Sequence, residues 1–89
     1  MLEKQFTLTN ASGLHARPAA QFVQAASKFK ETSVKVAKGA KEVDAKSILG
    51  IMSLGAKQGD TLTVRVDGPQ EAEVAAALAT LVESGFGEA

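Results

Sequence analysis

The run Thr61-Leu62-Thr63-Val64-Arg65-Val66-Asp67 alternates polar and apolar residues without a fault, and no other stretch constrains the fold as much. Side chains along a strand point alternately to the two faces of a sheet. Leu62, Val64 and Val66 therefore need a covered face, and Thr61, Thr63, Arg65 and Asp67 a wet one. A sheet wet on one side is normally antiparallel, because parallel sheets carry helices on both faces. The chain must then supply more strands of the same kind, and helices to cover one face only.

Leu2 to Thr9 alternates imperfectly, with Leu2, Phe6 and Leu8 on one face and Glu3, Gln5, Thr7 and Thr9 on the other, and reads as a half-buried strand. Ser33 to Lys38 places Val34 and Val36 on one side. Lys38-Gly39-Ala40-Lys41 turns the chain and Glu42-Val43-Asp44 returns it, which predicts a hairpin. Between these runs the period changes. From Ala16 to about Lys30, Ala19, Phe22, Val23 and Ala26 mark one face of a helix, and Ser47 to Leu54 predicts a short helix interrupted by Gly50 and ended by Gly55. After Asp67, Pro69 suits a first helical position. Val74, Leu78, Leu81 and Val82 line a last helix that reaches Ser84 and is capped by Gly85. The expected order is β-α-β-β-α-β-α, an α+β fold in which an antiparallel four-stranded sheet is covered on one face by helices. With 89 residues, no internal repeat and no linker, 1–89 reads as a single domain.

Composition narrows the function. Formal net charge is zero, whereas a phosphate-backbone binder usually carries an excess of Lys and Arg on one face, so no nucleic acid partner is expected. The charge is uneven: seven basic residues face four acidic ones up to Ala45, and three face six from Lys46 onward. The basic half suits an anionic ligand or an acidic partner. There is no cysteine, which favours a reducing cytoplasm and excludes thiolate metal sites and thiol catalysis. The chain holds no apolar run of signal-peptide or membrane-span length, so neither export nor membrane insertion is expected.

The protein's one histidine lies in Ser12-Gly13-Leu14-His15-Ala16-Arg17-Pro18, where a loop becomes a helix. Helix starts carry unpaired N–H groups and the positive end of the helix dipole, which stabilise an anion by about 0.3–1 kcal/mol, up to about 2 when partly buried. An ordinary imidazole is largely neutral at cellular pH, so one ring nitrogen is a nucleophile without an activating base. Arg17 offers a planar fork suited to phosphoryl oxygens. Gly13, Ala16 and Pro18 support the helix start: Gly13 permits unusual backbone, Ala16 opens the helix, and Pro18 occupies a first turn where its missing N–H is tolerated. The proline ring also disfavours helical geometry at Arg17 and predicts an irregular start. One histidine with scattered carboxylates forms no metal site, and neither a nucleophile elbow nor a phosphate-binding Walker loop is present.

Ser47 reads as a helix N-cap. At 100° per residue from Ile48, Ile51 and Leu54 fall at about 300° and 240° while Met52 and Leu49 fall at about 40° and 100°. A two-turn helix cannot bury all of them on one side. Ile48, Leu49 and Met52 are candidates for an exposed docking patch, with a fully buried helix as the competing outcome. A phosphate on Ser47 would sit at a helix N-terminus, where the fold tolerates it, and would repel a partner.

Ser12-Gly13-Leu14-His15-Ala16-Arg17-Pro18-Ala19 followed by Lys46-Ser47-Ile48-Leu49-Gly50-Ile51-Met52-Ser53-Leu54-Gly55 resembles the HPr family, the histidine-containing phosphocarriers of the bacterial phosphoenolpyruvate-dependent sugar phosphotransferase system. The similarity covers essentially the whole chain. It implies an open-faced β-sandwich with three helices and no cofactor. It also implies a cytoplasmic, monomeric carrier whose His15 accepts a phosphoryl group on Nδ1 from enzyme I and passes it to the enzyme IIA component, with Arg17 as clamp. The resemblance further implies regulation at Ser47 by a serine kinase/phosphorylase, and docking through the short second helix. The stretch between the motifs is one residue longer than in common members, which is assigned to the Lys38–Lys41 turn, away from the chemistry. Gln24 and Ser27 stand where some members have basic residues. Three other readings compete: a nitrogen-regulation carrier, a binding module switched at Ser47, and a small phosphatase using Arg17, for which no separate general base is present.

Overall fold

A computed structural model describes residues 1–87. Strands β1 (Leu2–Thr7), β2 (Ser33–Lys38), β3 (Lys41–Asp44) and β4 (Thr61–Asp67) alternate with helices α1 (Ala16–Ser27), α2 (Ile48–Ser53) and α3 (Glu71–Glu83), and a 3-10 turn follows at Gly85–Gly87. The strands form one sheet in the order β1-β4-β2-β3, with every neighbouring pair antiparallel. This is the antiparallel sheet expected from the residue pattern, and the open-faced β-sandwich that the family resemblance implies.

The perfectly alternating strand β4 lies inside the sheet, flanked by β1 and β2, because it offers a full ladder and a continuous apolar face to both. Leu62 stands opposite Phe6, while Val66 stands opposite both Leu2 and Val34. Phe22 and Ala26 of α1, Ile51 of α2, and Val74, Leu78 and Val82 of α3 cover that face, and all are buried. Each large side chain so buried contributes about 1.5–3 kcal/mol. The other face stays polar: Arg65 donates from Nε to Glu3 at 2.9 Å and from its terminal nitrogen to Glu42 at 2.8 Å, joining β1, β4 and β3 across the sheet.

Four local expectations are corrected. β1 stops at Thr7, not Thr9, because beyond it the facing chain is no longer β4 but the loop before it. Leu8 remains buried and pairs with that loop, its N–H to Asp60 O at 2.9 Å and its carbonyl to Gly59 N at 2.8 Å. α1 ends at Ser27 rather than near Lys30, and the Lys46 ammonium accepts the task of satisfying the carbonyls beyond it, Phe29 O and Thr32 O, both at 2.8 Å. Pro69 precedes α3 instead of opening it: the N-cap is Gln70, and Glu71 reaches back to the Gly68 N–H at 3.1 Å. The start of α1 is regular through Arg17. Beyond α3, Phe86 adopts φ 57 and is only 2% exposed, a left-handed phenylalanine held because its ring completes the core.

Candidate functional site

His15 is the N-cap of α1, with extended backbone (φ −72, ψ −176), and its side chain makes no capping hydrogen bond. Its carbonyl takes the first helical bond, from Ala19 N–H at 2.8 Å. Pro18 has no N–H, so the first-turn backbone donors at this end of α1 are those of Ala16 and Arg17. The helix is pinned there because Pro18 and Ala19 are buried, whereas His15, Ala16 and Arg17 are exposed. Among the described residues no salt bridge involves Arg17.

What holds the histidine loop is a contact with the chain after α2. Leu14 N–H donates to Ala56 O at 3.1 Å, and Leu14 is buried. Gly13, at φ +58, lies so close to that chain that a Cβ would collide with the Ala56 carbonyl oxygen and stand 2.7 Å from Lys57 Cα. Only glycine combines this conformation with this approach. On its other side Asn10 Nδ2 donates to the Gly13 carbonyl at 2.7 Å.

The contact brings the two sequence motifs together. A cleft of about 300 Å³ is lined by Leu14 and His15 from one and by Met52, Gly55, Ala56 and Lys57 from the other and the loop beyond it. Ser47 is the N-cap of α2, its hydroxyl accepting from Gly50 N–H at 3.1 Å. Ile51 and Leu54 of this helix face the core, and Ile48, Leu49 and Met52 are 39%, 79% and 40% exposed, so α2 is not a fully buried helix. Met52 reaches the histidine cleft; Ser47, Ile48, Leu49 and Arg17 do not line it.

A family model described as the "PTS HPr component phosphorylation site" matches residues 2–84. The chain belongs to the HPr family. A phosphocarrier protein HPr of Xylella fastidiosa is 48% identical over 88 residues, covering 99% of this chain and 98% of the relative. Among solved structures, HPr-C-His from Thermoanaerobacter tengcongensis matches with a TM-score of 0.95 at 50% identity, covering 100% of this chain and 99% of that one. An HPr dimer from the same organism matches at 0.78 and 51% identity, covering 99% and 100%. As a member of this family, the chain serves as a phosphocarrier of the phosphotransferase system.

The geometry of the site also shows what the residue pattern missed. Lys57 is the one lysine or arginine among the residues lining the cleft, and its only signal in the sequence is its position just after the second motif. The Lys38–Lys41 turn, assigned away from the chemistry, reaches the loop behind the cleft: Lys38 Nζ lies 3.0 Å from Asp60 Oδ2 and 3.2 Å from Gly55 O, and Lys41 Nζ lies 2.9 Å from Ser53 O. Asp60 also accepts the Lys57 N–H, at 2.8 Å. That hydrogen bond first, and then the Lys38 ammonium, hold the Asp60 carboxyl below the ordinary carboxylate range.

Proposed function

We propose that His15 is the phosphoryl acceptor, taking the group on Nδ1 from phosphorylated enzyme I and donating it to an enzyme IIA domain during sugar uptake. The observation that carries this reading is an exposed imidazole at the N-cap of α1 whose side chain is not spent on capping. The Nδ1 lone pair attacks phosphorus as the bond between phosphorus and the donor breaks, its electron pair returning to the donor. The second transfer repeats this in the other direction. Such chemistry asks the protein for positioning and charge stabilisation more than for covalent machinery.

Arg17 is the clamp: exposed and in no salt bridge among the described residues, it can close on the phosphoryl oxygens from the helix side. The Ala16 and Arg17 N–H groups and the dipole of α1 add to it, and Lys57 contributes charge from the cleft side. Each is weak enough to leave the group transferable. Ile48, Leu49 and Met52 supply the apolar surface on which partners dock beside the histidine. A phosphoryl group placed on Ser47 by a serine kinase would add about −1.5 to −2 charges to the edge of that surface and repel partners without unfolding α2. The carrier acts as a single copy, in the cytoplasm where its partners meet it.

Incubation with enzyme I and phosphoenolpyruvate tests the reading. Wild type is expected to gain an acid-labile phosphoryl group that His15→Ala lacks, and an unmodified wild type overturns the assignment.

A further inference from the structure

The loop from Gly55 to Asp60 joins α2 to β4 and forms one wall of the histidine cleft. It has no regular structure of its own. Its shape is set by a turn in which Asp60 N–H donates to Lys57 O at 3.0 Å while the Asp60 carboxylate accepts the Lys57 N–H at 2.8 Å. One side chain from elsewhere in the fold spans the two ends of this loop. Lys38, the last residue of β2, donates to Gly55 O at 3.2 Å and pairs with Asp60 Oδ2 at 3.0 Å, and both side chains of the pair are about two-thirds shielded from water. From the loop the constraint passes directly to the histidine segment, through the Leu14 N–H to Ala56 O bond at 3.1 Å and the contact of Gly13 with Ala56 and Lys57.

The geometry points to Lys38 and Asp60 as positioning residues for His15: together they close the loop against which the imidazole segment is seated. This rests on the carrier reading above and extends it to residues that touch neither the phosphoryl group nor the docking patch. Without the Lys38 ammonium, Gly55 O and the Asp60 carboxylate are no longer held toward one point, and Ala56 and Lys57 shift with them. The imidazole would then meet a docked donor off line, which slows transfer while docking persists. A displacement of about 1 Å at a reacting group can cost roughly a hundredfold, so a fraction of that is expected from loosening a partly exposed pair.

Transfer from phosphorylated enzyme I, measured over a range of carrier concentrations, tests this in wild type, Lys38→Met, Lys38→Arg and Asp60→Asn. Lys38→Met and Asp60→Asn are expected to lower kcat by about three- to tenfold with KM within about twofold, and Lys38→Arg to recover most of the loss. Amide hydrogen exchange supplies a second readout: Leu14 should exchange faster in the two slow variants, while Phe22 in the middle of α1 keeps its protection. A kcat within about twofold of wild type in both variants, or unchanged exchange at Leu14, overturns the positioning role. Faster exchange at Phe22 as well would mean general destabilisation and overturns it too. A wild type that takes up no phosphoryl group overturns the carrier reading beneath it; a loaded wild type with indifferent variants overturns only the positioning.

Discussion

Replacing Gly13 by alanine separates two costs that a second glycine allows to be measured apart. Gly39, in the β2–β3 turn, has φ +60, nearly the φ +58 of Gly13, but a Cβ there would meet nothing within 4 Å. Left-handed backbone costs an alanine about 1–2 kcal/mol. The stiffer unfolded chain offsets about 0.4–1 kcal/mol of this, so Gly39→Ala should destabilise by about 1 kcal/mol or less. At Gly13 the same conformational cost is joined by a collision with backbone, the Ala56 carbonyl oxygen and Lys57 Cα, and backbone cannot rotate away as a side chain can. Separating the two loops should add about 1–3 kcal/mol as overpacking. Stretching the Leu14 to Ala56 bond adds up to about 1 kcal/mol. Gly13→Ala is therefore expected to lose about 2–4 kcal/mol in all. For a domain of this size each kcal/mol shifts Tm by about 4–8 °C, so thermal unfolding followed by circular dichroism should place Gly13→Ala at least about 8 °C below wild type and clearly below Gly39→Ala. If the two variants melt within about 2 °C of each other, the close approach of the histidine loop to Ala56 and Lys57 is not a packing constraint, and the argument for what seats His15 fails.

Ser47→Ala should lose about 1 kcal/mol with the Gly50 N–H bond, whereas Ser47→Asp, which can still cap, should melt near wild type and raise KM for enzyme I; equal melting of Ser47→Ala and wild type would refute the capping role. Leu49→Ser should leave stability within about 0.5 kcal/mol, given 79% exposure, but raise KM for transfer, and an unchanged KM removes Leu49 from the docking surface. Because the folded Asp60 carboxyl is held below the ordinary range, the stability it contributes is complete above pH of about 4 and is lost as pH falls through its lower folded value. Urea unfolding at pH values from 7 down to about 2 should accordingly show a smaller acid loss in Asp60→Asn than in wild type, and equal losses would contradict the Lys38 and Lys57 contacts.

Period and turn chemistry determined most of the fold. The alternation of Thr61–Asp67, the helical spacing of Phe22 and Ala26, and the turn at Gly39 are local signals, and each element they mark is present within a few residues. The two motifs likewise singled out His15 and Ser47, because an N-cap and a helix start are written in neighbouring residues. The exact ends of β1 and α1 were not legible, since they depend on what faces them: the loop before β4 ends the β1 ladder, and a lysine far along the chain, Lys46, satisfies the carbonyls past α1. Phe86 was missed for a similar reason, as its left-handed backbone is sustained only by the core that surrounds its ring.

The sequence by itself thus determined the kinds of element and their order, and it singled out His15 and Ser47 as the residues proposed to carry a phosphoryl group. Tertiary structure alone decided the strand order β1-β4-β2-β3, the seating of Gly13 and Leu14 on Ala56, and the convergence of His15, Met52 and Lys57 on one cleft. The division has a physical cause. Periodicity and capping act over a few residues, whereas strand pairing, the fit of one loop against another, and the reach of Lys38 to Gly55 and Asp60 join atoms far apart in the chain, and no local pattern records which of many distant partners will be there.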